Sequence, residues 1–152
     1  MLSELHERFS IMQEEDIKSG EKGISEMLEN APLKLPDDYI FFLKYISGEG
    51  SLGIWLEADG YCDLRIYSAE EALSQMQDYG LYAYDIWIIG DDLGDGAYFY
   101  QKDENGIAIY YSDIGAIGVP DSTDDIYPQK VADTLADFLL KGIGIDVVEG
   151  KV

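Results

Sequence analysis

The sequence predicts an α+β fold, a mainly antiparallel sheet of about five to six strands with N-terminal, middle and C-terminal helices beside it. Three observations carry that prediction. Two tight-turn dipeptides, Asp59-Gly60 and Asn105-Gly106, each separate a pair of strand-like runs. Helical periodicity with recognisable end signals stands before, between and after those runs. No repeated strand-helix-strand crossover is present, so nothing requires the strands to run parallel.

Leu2, Leu5, Phe9 and Met12 recur at spacings of three and four, which predicts a first amphipathic helix. Gly20 and Gly23 break that pattern. A short helical piece is expected around Ile24, Met27 and Leu28, and Pro32 ends it. The next helix carries the fullest set of signals. Pro36 stands where a first helical residue loses no intrahelical bond, and Asp37 and Asp38 suit the positive end of the helix. Tyr39, Phe42, Leu43 and Ile46 then share one face, and Gly48 supplies the stop.

Residues 52–57 and 61–67 read as a hairpin around Asp59-Gly60. Ser68, followed three positions on by Glu71, has capping-box spacing and opens a helix through Ala72, Leu73 and Met76 that Gly80 ends. Asp85–Ile89, with Trp87 inside an apolar run, reads as a central strand, with Trp87 in the core. Residues 90–96 read as a loop. Residues 97–102 and 107–111 form the second hairpin, and any register centred on Asn105-Gly106 puts Tyr98, Tyr100, Ile109 and Tyr111 on one face, with Phe99 and Tyr110 on the other. Residues 114–119 are expected to add a short strand, and Val131, Leu135, Phe138 and Leu139 to mark a last helix that Gly142 ends. Residues 143–152 form a tail without a clear pattern.

Length and composition fit one domain over residues 1–152 with a core of its own. Charge is the outlying property. Thirty-one Asp and Glu face 10 Lys and Arg, a net charge of -21. Such a surface repels phosphate and anionic lipid, so nucleic acid and membrane are not expected partners. The same field draws in basic proteins, and it also serves plain solubility. A single cysteine, Cys62, allows no internal disulfide, and the start of the chain has no apolar signal core. A cytoplasmic location is the expectation. Nothing in the sequence specifies an oligomeric state.

Catalytic and metal chemistry find few residues. His6 is the sole histidine, on an amphipathic segment, and reads as a surface or boundary residue. Cys62 lies at a strand position and reads as an inert buried thiol. Zinc is excluded by ligand count. Asp91, Asp92 and Asp95 form the one suggestive cluster, but an EF-hand counted from Asp91 would put Leu93 and Lys102 at ligand positions. Gly94-Asp95-Gly96 lacks the third glycine and the following helix of a phosphate cradle. The cluster is otherwise an ordinary acidic turn or a partner contact. No metal, cofactor or catalytic residue is therefore assigned. The candidate partner-binding residues are Asp91, Asp92 and Asp95, the second acidic stretch Asp121, Asp124 and Asp125, and the aromatics Trp55 and Tyr61.

Three segments in order resemble the SUKH superfamily, which includes a fungal cell-wall assembly regulator and many bacterial immunity proteins. Leu35-Pro36-Asp37-Asp38-Tyr39-Ile40-Phe41-Phe42-Leu43 is similar to that family's Leu-Pro-x-x-Tyr-x-x-Phe-Leu helix start. Ile88-Ile89-Gly90-Asp91-Asp92-Leu93-Gly94-Asp95-Gly96-Ala97-Tyr98-Phe99 resembles its central strand, Gly/Asp loop and aromatic strand. Val131-Ala132-Asp133-Thr134-Leu135-Ala136-Asp137-Phe138-Leu139 resembles its closing helix. Two positions depart from the family pattern: Ser47-Gly48-Glu49-Gly50 replaces an Asn-Gly-Gly type end, and Leu135 stands where Phe is common. The likeness runs roughly over residues 24–142. It implies a non-enzymatic binding module, in bacteria an immunity protein that neutralises a polymorphic toxin, often a basic nuclease domain. A regulatory or scaffolding adaptor of the same fold is the alternative. A carboxylate- or divalent-dependent hydrolase rests on the Asp91-Asp92-Asp95 cluster alone.

Overall fold

The computed structural model describes residues 5–11, 21–43, 51–56, 64–104, 106–117 and 128–149. Seven strands form one antiparallel sheet, β1 (Phe9–Ile11), β2 (Ser51–Leu56), β3 (Leu64–Tyr67), β4 (Ile86–Asp91), β5 (Gly96–Asp103), β6 (Gly106–Asp113) and β7 (Gln129–Ala132). Their order in the sheet is their order in the chain. The helices are α1 (Glu21–Asn30), α2 (Asp37–Leu43), α3 (Ala69–Asp78), α4 (Leu135–Leu139) and α5 (Ile145–Val148). The α+β prediction holds, with one strand more than expected.

That extra strand is a correction. The spacing of Leu5, Phe9 and Met12 predicts a helix, yet residues 9–11 pair with β2, Phe9 opposite Leu56 and Ile11 opposite Ile54. The chain turns just before, where the Phe9 N–H donates to the His6 carbonyl at 2.8 Å. Phe9 is buried edge-on against Phe138, ring centroids 5.8 Å apart, so tertiary burial overrides a periodicity supported by few residues.

Three further expectations change. Gly23 lies inside α1 and does not interrupt it, and it makes room for the Glu70 carboxyl of α3, which occupies the space a Cβ would need. Residues 114–116 form a 3-10 turn in place of a strand, opened by Asp113, whose side chain accepts from the Gly115 N–H at 2.8 Å. Val131 belongs to β7 and not to the last helix, which begins only after Thr134, whose Oγ1 accepts from the Asp137 N–H at 3.0 Å. The unplaced tail contains α5. The expected turn at Asp59-Gly60, the thiol of Cys62, Ile46 and Gly48 lie outside the described residues.

The second hairpin has the predicted register. Tyr98 faces Tyr111, Tyr100 faces Ile109, and Phe99 faces Tyr110. Helices α2 and α4 cover the Tyr98 and Tyr100 face. Tyr39 of α2 meets Tyr100 at 5.3 Å between centroids, and Phe138 of α4 meets Tyr98 at 5.9 Å. Trp87 is fully buried on the same face, and its Nε1–H donates to the Tyr39 hydroxyl at 3.0 Å. A buried indole needs such an acceptor, since leaving its N–H dry and unpaired costs about 1–3 kcal/mol. On the opposite face Ile88, Ala97 and Phe99 are also buried, and Ile117 and Pro128 line a groove against Phe99. β5 is therefore buried on both sides from Gly96 to Tyr100, which explains its aromatic run without alternation.

Helix α3 obeys its sequence signal. The Ser68 hydroxyl accepts from the Glu71 N–H at 3.1 Å, capping the first turn. At its far end Gly80 adopts φ +64, the left-handed conformation that suits glycine, and leads into a 3-10 turn over residues 81–83 pinned by buried Leu81.

Candidate functional site

The hairpin between β4 and β5 carries the acidic loop. β4 continues through Gly90 to Asp91, two residues further than the strand expected to end at Ile89, and β5 starts at Gly96. The β4–β5 register shifts between Ile88 and Gly90, and on its other edge Gly90 pairs with Ile66 of β3. A Cβ at Gly90 would collide with the Arg65 carbonyl.

Asp91 and Asp92 turn their carboxylates onto the domain's own donors. Arg65 grips Asp91 in a fork, Nε to Oδ1 at 2.9 Å and Nη2 to Oδ2 at 2.6 Å. The Tyr67 hydroxyl donates to Oδ2 at 2.6 Å and the Leu93 N–H to Oδ1 at 3.0 Å. Burial pushes the Asp91 carboxyl up, but the hydrogen bonds from Arg65, Tyr67 and the Leu93 N–H, with the Arg65 charge, outweigh it and hold the group below the ordinary carboxylate range. For Tyr67 burial and the Asp91 carboxylate act together and push the phenol far up, so it stays a donor.

Asp92 plays the matching part on the other strand. Its Oδ1 accepts from the Gly94 and Gly96 N–H groups at 2.9 and 3.0 Å, and its Oδ2 from the Tyr111 hydroxyl at 2.6 Å. A side chain at Gly96 would overlap the Tyr111 hydroxyl and the Asp92 carboxylate. Leu93 crosses the loop tip at φ 67 with half its surface exposed. Asp95 is exposed, and its carbonyl accepts from the Ile114 N–H at 2.8 Å.

The three aspartates of the cluster thus have different surroundings. Asp91 and Asp92 act as struts that define the loop, and Asp95 faces solvent. Among the described residues no group of three or more His, Cys, Asp or Glu side chains is placed to hold a metal ion. Asp121, Asp124, Asp125 and Tyr61 lie outside the described residues. Trp55 sits in β2 opposite Ser10. His6 is half-buried, at the boundary expected of it, with Nδ1 accepting from the Arg8 N–H at 3.2 Å.

Among the described residues four cations are matched within the domain. Arg8 pairs with Glu149 at 2.8 Å, Arg65 with Asp91, Lys130 with Asp103 at 3.1 Å and Asp133 at 2.7 Å, and Lys141 with Asp137 at 3.2 Å.

Sequence reasoning missed one feature of the surface. Tyr79, Tyr82 and Tyr84 are 56%, 40% and 39% exposed, grouped where α3 ends and the chain returns to the sheet. Tyr82 also lines a shallow groove of about 260 Å³ with Glu26, Asn30, Leu73 and Gln77. The signal was available, because a glycine-broken turn with a tyrosine at every second or third position cannot bury them all.

An antiparallel meander with helices on a Trp-Tyr face, and an acidic hairpin loop braced from within, defines an α+β protein. The SMI1 / KNR4 family (SUKH-1) model matches residues 18–141, and the chain belongs to that family. No match was found among curated proteins or among solved structures. Among the described residues no helix is long and apolar enough to cross a membrane.

Proposed function

We propose that this chain is a non-enzymatic protein-binding module, an immunity protein that binds and neutralises a polymorphic toxin with a basic domain. Membership of the SUKH-1 family fits a binding or immunity role. The observation that carries the basic partner is charge, a net -21 with several of the few cations already engaged internally. A nuclease domain is the partner class of choice, since it recognises closely spaced negative charge. On this reading the contacts come from Asp95 and from Asp121, Asp124, Asp125, Trp55 and Tyr61, with Asp91 and Asp92 shaping the loop. The chain acts in the cytoplasm, where a toxin that enters the cell meets its target.

Co-expression with the basic C-terminal domain of a secreted protein encoded beside this chain is the test. A stable complex that blocks toxicity, with Kd rising at least tenfold between about 50 and 300 mM salt, is expected. A complex indifferent to salt removes the electrostatic basis. Turnover of a small molecule by the purified chain, lost in the Asp91→Ala, Asp92→Ala or Asp95→Ala variants, replaces the binding reading with an enzymatic one.

A further inference from the structure

The exposed tyrosines lie in one short, well-held stretch. Residues 79–85 read Tyr-Gly-Leu-Tyr-Ala-Tyr-Asp. Leu81 is buried and anchors the turn. Backbone bonds close it at both ends, Gly80 N–H to Gln77 carbonyl at 3.1 Å, Tyr84 N–H to Leu81 carbonyl at 3.0 Å and Ile86 N–H to Tyr84 carbonyl at 2.9 Å. The Tyr82 ring stands 6.3 Å from that of buried Trp87, which holds it at the core's edge. These rings are displayed by a fixed backbone, so little conformational freedom remains for a partner to remove.

The surroundings are negative. Glu26, Asp78 and Asp85 are exposed beside the tyrosines, Glu26 on the groove that Tyr82 also lines. The sequence has no lysine or arginine from residue 66 to residue 101. Aromatic faces next to carboxylates are complementary to guanidinium groups, which stack on a ring and pair with an acid at the same time. Exposed tyrosines grouped in this way are also the side chains that most often anchor interfaces.

We infer that the Tyr79–Asp85 turn, with the α1–α3 groove beside it, is a docking surface for an arginine-rich face of a partner protein. The inference rests on the basic partner proposed above and adds a second contact area to the residues named there. Arginine is preferred over lysine there, because an ammonium ion lacks the planar face that stacks on tyrosine.

Titration of the 15N-labelled chain with a nona-arginine peptide, and separately with nona-lysine, tests it. Amide shifts concentrated at residues 26–30 and 77–85, at least threefold tighter binding of the arginine peptide, and about tenfold weaker binding by Y79S/Y82S/Y84S are expected. The substituted side chains are largely exposed, and the unchanged amide spectrum of the remaining residues verifies that the variant is folded. Shifts spread evenly over every acidic segment, or an unaffected triple variant, overturn the docking surface and leave the basic-partner reading standing. Absence of binding by either peptide at 50 mM salt overturns that reading as well.

Discussion

The Arg65 guanidinium closes on Asp91 across the β3–β4 pair, meeting both carboxylate oxygens at 2.9 and 2.6 Å. The pair fastens the acidic loop to the sheet, and so places a charge needed for folding inside a motif that looks functional by composition.

Asp91→Asn is therefore expected to destabilise the domain by about 1–2 kcal/mol at pH 7. That figure allows for screening of Arg65, whose side chain is 42% exposed. The folded-state pKa of Asp91 is depressed, so its contribution is complete above the unfolded value near 3.9 and is lost as pH falls through the lower folded value. Urea denaturation of wild type and variant at a series of pH values checks this. The difference between them should narrow below about pH 4, and a difference constant down to pH 2.5 contradicts the assignment.

The Trp87 indole and the Tyr39 hydroxyl form a buried pair at 3.0 Å. Trp87→Phe and Tyr39→Phe each leave one polar partner dry, so each should cost about 1–3 kcal/mol, Trp87→Phe more because it also leaves space. The double variant should be less destabilised than the sum by about 1 kcal/mol in a denaturation cycle. Strict additivity would mean that the bond contributes nothing.

Tyr100 is the neighbouring contrast. Its hydroxyl is buried without a hydrogen-bond partner among the described residues. Tyr100→Phe removes an unmet polar group while keeping the ring against Tyr39, and should raise stability by about 1 kcal/mol. A fall in the urea midpoint of this variant contradicts the reading.

Three glycines should respond in a fixed order. Gly90→Ala meets a backbone carbonyl, that of Arg65, and should be the most damaging, above about 3 kcal/mol. Gly96→Ala meets the ends of the Tyr111 and Asp92 side chains, which can yield in part, and should cost about 2 kcal/mol. Gly80→Ala enters open space and suffers only its positive φ, about 1 kcal/mol. Thermal unfolding of the three variants gives the order directly.

Leu93 supplies the opposite case. It holds a left-handed backbone at φ 67 without glycine's freedom and with little burial in return. Leu93→Asn should raise stability by about 0.5–1 kcal/mol, since asparagine tolerates that region. A decrease measured by urea denaturation would show that the leucine makes a compensating contact.

Much of the fold was legible because local chemistry and tertiary context agree. Ser68 caps α3, β5 and β6 pair in the expected register with Asp103 opposite Gly106, and the Pro36 carbonyl accepts from Ile40 at the start of α2, within a residue of the expected boundary. The failures arise where few residues compete with a distant contact. Phe9 looks helical by spacing and becomes a strand because β2 and Phe138 receive it, and Val131 looks helical until β6 claims it for the sheet. At the site, composition marked the acidic loop but could not separate Asp91 and Asp92, which face inward, from Asp95. That distinction depends on Arg65, Tyr67 and Tyr111, which lie 19 to 26 residues away in sequence.

Residues 6–9 and 138–149 meet across the length of the sequence, where the His6 N–H donates to the Leu139 carbonyl at 2.8 Å, Phe9 touches Phe138 and Arg8 reaches Glu149. β2 to β7 each pair with a sequence neighbour, so most of the sheet can zip as it leaves the ribosome, with small loop-closure costs. β1 pairs with β2 in the same way, but its docking surface also includes Phe138, Leu139 and Glu149, which follow every strand in sequence. The earliest of the described strands is thus fully seated only once residues 138–149 have been made.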